Sequence, residues 1–129
     1  MNRKIFIYLF LTALVISGLC SCFSKNSLDW EGVYTGTIPS ASGSGINVRM
    51  KLNLDQSFEL NYEYLDKPDN TFNWTGTFQW DKKESIITLD ITDAPSYYKV
   101  AQNKLIQLDT NAKPISGKLA DNYVLNKEL

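Results

Sequence analysis

The sequence predicts an all-β fold, a small antiparallel up-and-down β-barrel of seven or eight strands. Three observations predict it. From position 30 onward apolar and polar residues alternate with period two, as strands do when one face meets a core and the other meets water. Turn-forming clusters separate the runs at roughly 8–12-residue intervals, a spacing typical of barrels and sandwiches. No run of about ten residues or more carries the period of a helix.

The first run puts Trp30, Gly32, Tyr34, Gly36 and Ile38 on one face. In the second, Ile46, Val48, Met50, Leu52 and Leu54 alternate with Asn47, Arg49, Lys51 and Asn53. Asp55-Gln56-Ser57 reads as a tight turn into the third run, where Phe58, Leu60, Tyr62 and Tyr64 share a face. Lys67-Pro68-Asp69-Asn70 leads into the fourth, with Phe72, Trp74, Gly76, Phe78 and Trp80 inward. Asp81-Lys82-Lys83-Glu84 is the next turn. Weaker strands are expected over 86–92, 97–100, 104–108, 114–116 and 123–126, with one short helical turn near Leu119-Ala120-Asp121. Gly36 and Gly76, inside strands, suggest bends where the sheet curls and closes.

Composition narrows the function. The chain has 129 residues and a net charge of −1, so it holds one domain at most and no nucleic-acid partner is expected. It has no histidine, which removes the usual neutral-pH base and the commonest zinc ligand. Its two cysteines, Cys20 and Cys22, lie close to the N-terminus, so a disulfide framework is not expected. No cofactor is expected either.

Arg3 and Lys4 precede an apolar run from Ile5 to Ile16, the layout of a secretory signal peptide. A spanning helix needs about 20 apolar residues, and Ser17 and Gly18 interrupt this run first. Leu19-Cys20-Ser21-Cys22 resembles the cleavage box of bacterial lipoproteins, with leucine three residues before the cysteine and a small residue directly before it. Cys22 is therefore the expected lipidation site. Cys20 fits worse, because bulky Leu19 precedes it. The expected organisation is a lipoprotein signal peptide over 1–21, a lipidated tether over 22–28 and a β-barrel over 29–127. The membrane, reached through this anchor, is the first expected partner.

Thirteen aromatic residues follow the expected cleavage point: Trp30, Trp74, Trp80, six tyrosines and four phenylalanines. Two readings stand. The rings fill the barrel, or some of them, with Tyr62, Trp74 and Phe78 the candidates, line a cavity for a small apolar ligand. Other constellations are weak. Asp66, Asp69 and Asn70 lack the spacing of a calcium loop. Asp90 and Asp93 fall on opposite faces of a strand, and Glu59 and Glu63 fall on a solvent face. The Ser40–Gly45 stretch reads as a flexible loop. No serine has a histidine partner and no nucleophile elbow is present, so no enzymatic activity is expected.

Trp30-Glu31-Gly32-Val33-Tyr34-Thr35-Gly36-Thr37-Ile38-Pro39, then Gly45-Ile46, resembles the opening of the NlpE N-terminal domain family of bacterial envelope lipoproteins. Gly76-Thr77-Phe78-Gln79-Trp80-Asp81 fits its middle. Tyr98-Lys99-Val100, the segment Asn103 to Asp109 and Ile115 to Leu125 fit its close. The likeness runs from Trp30 to Lys127 and implies a lipocalin-like barrel. Longer members add a second, oligonucleotide-binding-type barrel, which this sequence, ending at Leu129, is expected to lack. The family carries Cys-x-x-Cys just after the Leu-Pro pair, and Ser40 and Gly43 stand at those two positions here. Copper(I) prefers thiolate or thioether donors, so the family's copper association is not expected to transfer as direct binding.

The resemblance implies a non-catalytic, membrane-anchored lipoprotein of the cell envelope, acting in envelope homeostasis or stress sensing through a protein partner. Phe23 after Cys22 gives no obvious inner-membrane retention signal, and the outer membrane, on its periplasmic or surface face, is the expected location. The alternatives are a lipocalin-like carrier of a small apolar ligand and an inhibitor module. A carrier needs an open cavity; a partner-binding protein needs an exposed apolar patch.

Overall fold

In the computed structural model, eight antiparallel strands close into one barrel in sequence order. The structure describes residues 29–129 except 42, 68, 82 and 84. The expected signal peptide, the tether and Cys22 lie outside the described residues. The strands are β1 Gly32–Ile38, β2 Ile46–Leu52, β3 Ser57–Tyr64, β4 Thr71–Asp81, β5 Ile86–Leu89, β6 Tyr97–Ala101, β7 Lys104–Gln107 and β8 Val124–Lys127. The all-β, up-and-down barrel expected from the periodicity is what forms, with eight strands. The short helical turn is Ala120–Asn122. Among the described residues no helix is long and apolar enough to cross a membrane.

Period-two patterning becomes burial directly. In β2 the burial alternates residue by residue, with Ile46, Val48, Met50 and Leu52 inside. Pairing aligns these rows across strands: Met50 lies opposite both Tyr34 and Leu60, and Leu52 opposite Phe58. A slip of one residue would turn every row outward, so the apolar pattern itself fixes the register. The interior is one cluster that includes Tyr34, Met50, Leu60, Ile87, Leu105 and Leu125.

Closure occurs where β1 meets β8, through Tyr34↔Lys127 and Thr35↔Asn126. Gly36 makes this seam possible. A Cβ at Gly36 would stand 2.7 Å from the Val124 carbonyl oxygen and 3.1 Å from the Leu125 side chain. The residue therefore marks a close approach of two backbones. Gly76 does the same for a ring: Phe58, its partner across the ladder, lies over the space a side chain would fill.

Three local expectations are corrected. Leu54 is not inward; it is 72% exposed, because β2 ends at Leu52 and the chain turns through 53–56. Asn53 N–H donates to the Ser57 carbonyl in that turn, and Gln56 takes φ of 68°. No strand forms over 114–116. Only an isolated bridge joins Leu108 and Pro114, since proline has no N–H to extend a ladder and Asp109 Oδ1 gathers the N–H groups of Asn111 and Lys113 into a turn. Lastly β5 stops at Leu89, so Asp90 and Asp93 belong to a loop and not to a strand.

Candidate ligand site at the barrel mouth

The up-and-down order gives the barrel two ends. At one lie the start of β1, the β2–β3, β4–β5 and β6–β7 turns and the end of β8. At the other lie the β1–β2 loop, the β3–β4 loop, the β5–β6 loop and the long 108–123 connection.

The first end is closed by aromatic packing. Trp30 stands edge-on to Phe78 and Trp80, with ring centroids 5.7 and 5.5 Å apart. The Tyr34 hydroxyl donates to the Trp30 carbonyl at 2.6 Å. Lys127 Nζ donates to the Asp29 carbonyl at 2.6 Å and lies 3.5 Å from its carboxylate. Burial, with the Asp29 charge adding to it, pushes the Tyr34 phenol up to about 12.

The second end is the mouth, and it stays open. Tyr64, Phe72 and Trp74 form a series of rings there. Tyr64 meets Phe72 edge-on at 5.8 Å, Phe72 stacks on Trp74 at 6.2 Å, and Trp74 meets Tyr62 edge-on at 5.0 Å. Phe72 remains 43% exposed. The Trp74 indole N–H donates to Asp93 Oδ1 at 3.0 Å, tying the β5–β6 loop to the aromatic wall. A cleft of about 460 Å³ opens beside these rings, lined also by Ile38, Pro39, Ile46, Ala94, Pro95, Gln107 and Tyr123. A neighbouring cleft of about 670 Å³ shares Ala94, Pro95, Gln107 and Tyr123 with it.

Polar groups are left unsatisfied below this cleft. The hydroxyls of Tyr62 and Tyr98 are buried without a hydrogen-bond partner. They are close enough to influence one another's ionisation, yet their geometry falls short of a hydrogen bond. Burial is the main cause that raises both phenols, Tyr62 to about 12 and Tyr98 well above the ordinary tyrosine value. An orphaned hydroxyl in an apolar interior costs free energy, so this end carries a penalty that the closed end avoids.

Tyr62 and Trp74, two of the three candidate cavity residues, thus come together at the mouth. Phe78 does not join them; it is buried at the closed end against Trp30 and Trp80. Sequence reasoning missed Asp93, Gln107 and Tyr123 at the mouth. Their strands and loops are remote in the chain from β4, and only pairing brings them near.

Ser40 and Gly43 sit in the β1–β2 loop at the same end. Ser40 Oγ accepts from Gly45 N–H at 3.0 Å, and the Ser40 carbonyl accepts from Gly43 N–H at 3.0 Å. Gly43 takes φ of +88°, a conformation that side-chain-bearing residues rarely adopt. The loop is a hydrogen-bonded turn. The methionine of the barrel, Met50, is fully buried in the core. Among the described residues no group of three His, Cys, Asp or Glu could hold a metal.

A further hollow of about 650 Å³ lies on the outer face of β1–β4, lined by Thr35, Thr37, Asn47, Arg49, Asn61, Glu63, Thr71 and Asn73. Those side chains largely bond one another: Thr37 to Asn47 at 2.7 Å, Asn47 to Glu63 at 3.4 Å, and Asn61 to Asn73. Glu59 and Glu63 are on this solvent face, as expected.

The family model of the NlpE N-terminal domain matches residues 34–118. The chain belongs to the NlpE N-terminal domain family. A crystal structure of a candidate lipoprotein from Shewanella oneidensis is 46% identical, with a TM-score of 0.72, covering 81% of this chain and 94% of that one. The crystal structure of the Cpx pathway activator NlpE from Escherichia coli shares the fold, with a TM-score of 0.56 at 23% identity. That alignment covers 67% of this chain and 46% of the E. coli chain, so the match spans about half of the longer protein. No curated protein sequence matches. The NlpE family and the Shewanella relative together support a bacterial envelope lipoprotein.

Proposed function

We propose that the protein is a non-catalytic lipoprotein held in the envelope by lipid on Cys22, and that it serves envelope homeostasis or stress sensing through contacts made by the barrel. Membership of the NlpE family carries this reading. The family's copper association is proposed not to extend to direct binding here, because serine and glycine stand where the two thiolates would be. The outer membrane is the proposed location.

The anchor also has a defined point of attachment on the barrel. The described chain begins at Asp29, beside the closed end. The seven residues from Cys22 to Lys25-Asn26-Ser27-Leu28 reach about 25 Å at full extension. The tether therefore joins the barrel at its closed end.

Fractionation of the expressing bacterium tests the anchor. The parent protein is expected in the membrane pellet and resistant to salt washing, while Cys22→Ala is expected to lose the lipid mass. A Cys22→Ala protein that still carries diacylglycerol, with Cys20 as the modified residue, would contradict the assignment.

A second reading, the carrier of a small ligand, is favoured by one observation. The mouth holds an open aromatic cleft rather than a plugged end.

A further inference from the structure

The clefts at the mouth have a charge signature that selects among small apolar ligands. The aromatic cleft is lined by Tyr64, Phe72, Trp74 and Tyr123, and among the described residues its single charged lining residue is Asp93. The adjoining cleft adds one more charged lining residue, Asp109. Among the described residues no lysine or arginine lines either cleft. Lys67, Lys113 and Lys118 belong to loops at this end, but they line neither cleft.

We propose that the mouth is a binding site for a small organic cation, an aromatic amine or quaternary ammonium compound free in the aqueous envelope space. Ring faces attract a cation through their quadrupole, most strongly when several rings surround it, and tryptophan is the best of them. Phe72 and Trp74, stacked on one another, and Tyr64, edge-on to Phe72, line one opening together. Asp93 supplies the counter-charge. Its Oδ1 is used by the Trp74 indole N–H, which fixes the carboxylate at the rim of the rings. An anionic ligand, a fatty acid for example, would meet two carboxylates and no cation there, so the site disfavours it. The volume of about 460 Å³ lies within the usual range for small-molecule sites.

Tyr62 and Gln107 deepen the assignment. Both line the aromatic cleft, and they are only 5% and 8% exposed. The Tyr62 hydroxyl faces the Tyr98 hydroxyl without a well-formed hydrogen bond, so a polar atom on the ligand body gains a better hydrogen bond than the empty protein makes, once the rings shift enough to admit it. The proposal goes beyond the envelope reading and does not depend on lipidation.

The test is isothermal titration of the full chain in a maltoside detergent, which adds no cationic headgroup. Three probes of matched size are used: benzyltrimethylammonium, benzenesulfonate and phosphocholine. The cation is expected to bind, with the sulfonate at least about tenfold weaker, the scale of combined cation–π and partly exposed ion-pair contacts. Phosphocholine carries the same type of cation beside a phosphate, and it is expected to bind more weakly than the free cation. Asp93→Asn keeps an oxygen for the Trp74 indole and removes the charge. It is expected to weaken the cation about fivefold and to leave the sulfonate unchanged or slightly improved. Phe72→Ala, at an exposed ring, is expected to weaken the cation while the circular dichroism stays that of the parent. Equal or tighter binding of the sulfonate would overturn the proposal. So would cation affinity unchanged in both variants, or no heat with the cation at millimolar concentration. Tighter binding of phosphocholine would overturn the free-cation assignment in favour of a lipid headgroup.

Discussion

The two ends of this barrel are built from the same kinds of residue and reach opposite outcomes. At the closed end, Trp30, Phe78 and Trp80 pack on one another, and the Tyr34 hydroxyl has the Trp30 carbonyl as its acceptor. At the mouth, Tyr64, Phe72 and Trp74 leave an opening, and the Tyr62 and Tyr98 hydroxyls face one another without a well-formed hydrogen bond. Ring content is therefore not what separates a plug from a site. What separates them is whether polar atoms are matched within the chain and whether something covers the rings. Among the described residues, Asp29 and Trp30 cover the closed end, while inter-strand connections flank the other.

Alanine substitutions break the comparison most strongly. Tyr34→Ala removes a fully buried ring and is expected to cost about 3–5 kcal/mol, as large aromatic truncations in a core do. Phe72→Ala, at a ring still 43% exposed, is expected to cost less than about 1 kcal/mol. Urea melts of the two variants measure both values. Comparable losses would mean that the mouth rings are as much part of the core as Tyr34.

Alkaline unfolding sharpens it next. Burial holds the Tyr34 and Tyr62 phenols at about 12 in the fold, against about 10 in the unfolded chain. Between those values the unfolded state sheds protons that the folded state keeps, so stability falls as pH rises. Below pH 10 the contribution is fully present; from about pH 10 to 12 it is lost. Melting temperatures across that window are expected to decline, and Tyr62→Phe is expected to flatten the decline. A variant that melts with the parent's pH slope would contradict the burial of Tyr62.

Much of this was legible in the sequence, for a definite reason. Alternation along Ile46 to Leu52 and Phe58 to Tyr64 states the burial of each residue, because a strand has only two faces. The opening from Trp30 to Pro39 resembles the family that residues 34–118 match. Leu54 was misread because alternation continues one residue pair past the end of the strand; only the turn bonds of Asn53 and Ser57 end it. Residues 114–116 look like a strand until Pro114 has to donate to a ladder. The mouth was half legible. Tyr62 and Trp74 follow from the inward rows, but Asp93 lies 19 residues from Trp74, and no period relates a loop carboxylate to an indole N–H. Phe78 shares the inward row of Trp74, yet four positions along a strand carry it to the other end of the barrel.

The asymmetry between the ends is tested most directly by removing one oxygen atom at each. Tyr34→Phe deletes the hydroxyl that bonds the Trp30 carbonyl, and it is expected to destabilise the protein by about 0.5–1.5 kcal/mol. Tyr98→Phe deletes a buried hydroxyl without a partner, and it is expected to leave stability unchanged or to raise it. Denaturant midpoints measured side by side decide the matter. A midpoint lowered at Tyr34 and unchanged or raised at Tyr98 is the predicted result. A loss at Tyr98 equal to the loss at Tyr34 would contradict it, because both hydroxyls would then be satisfied and the mouth would be as finished as the closed end.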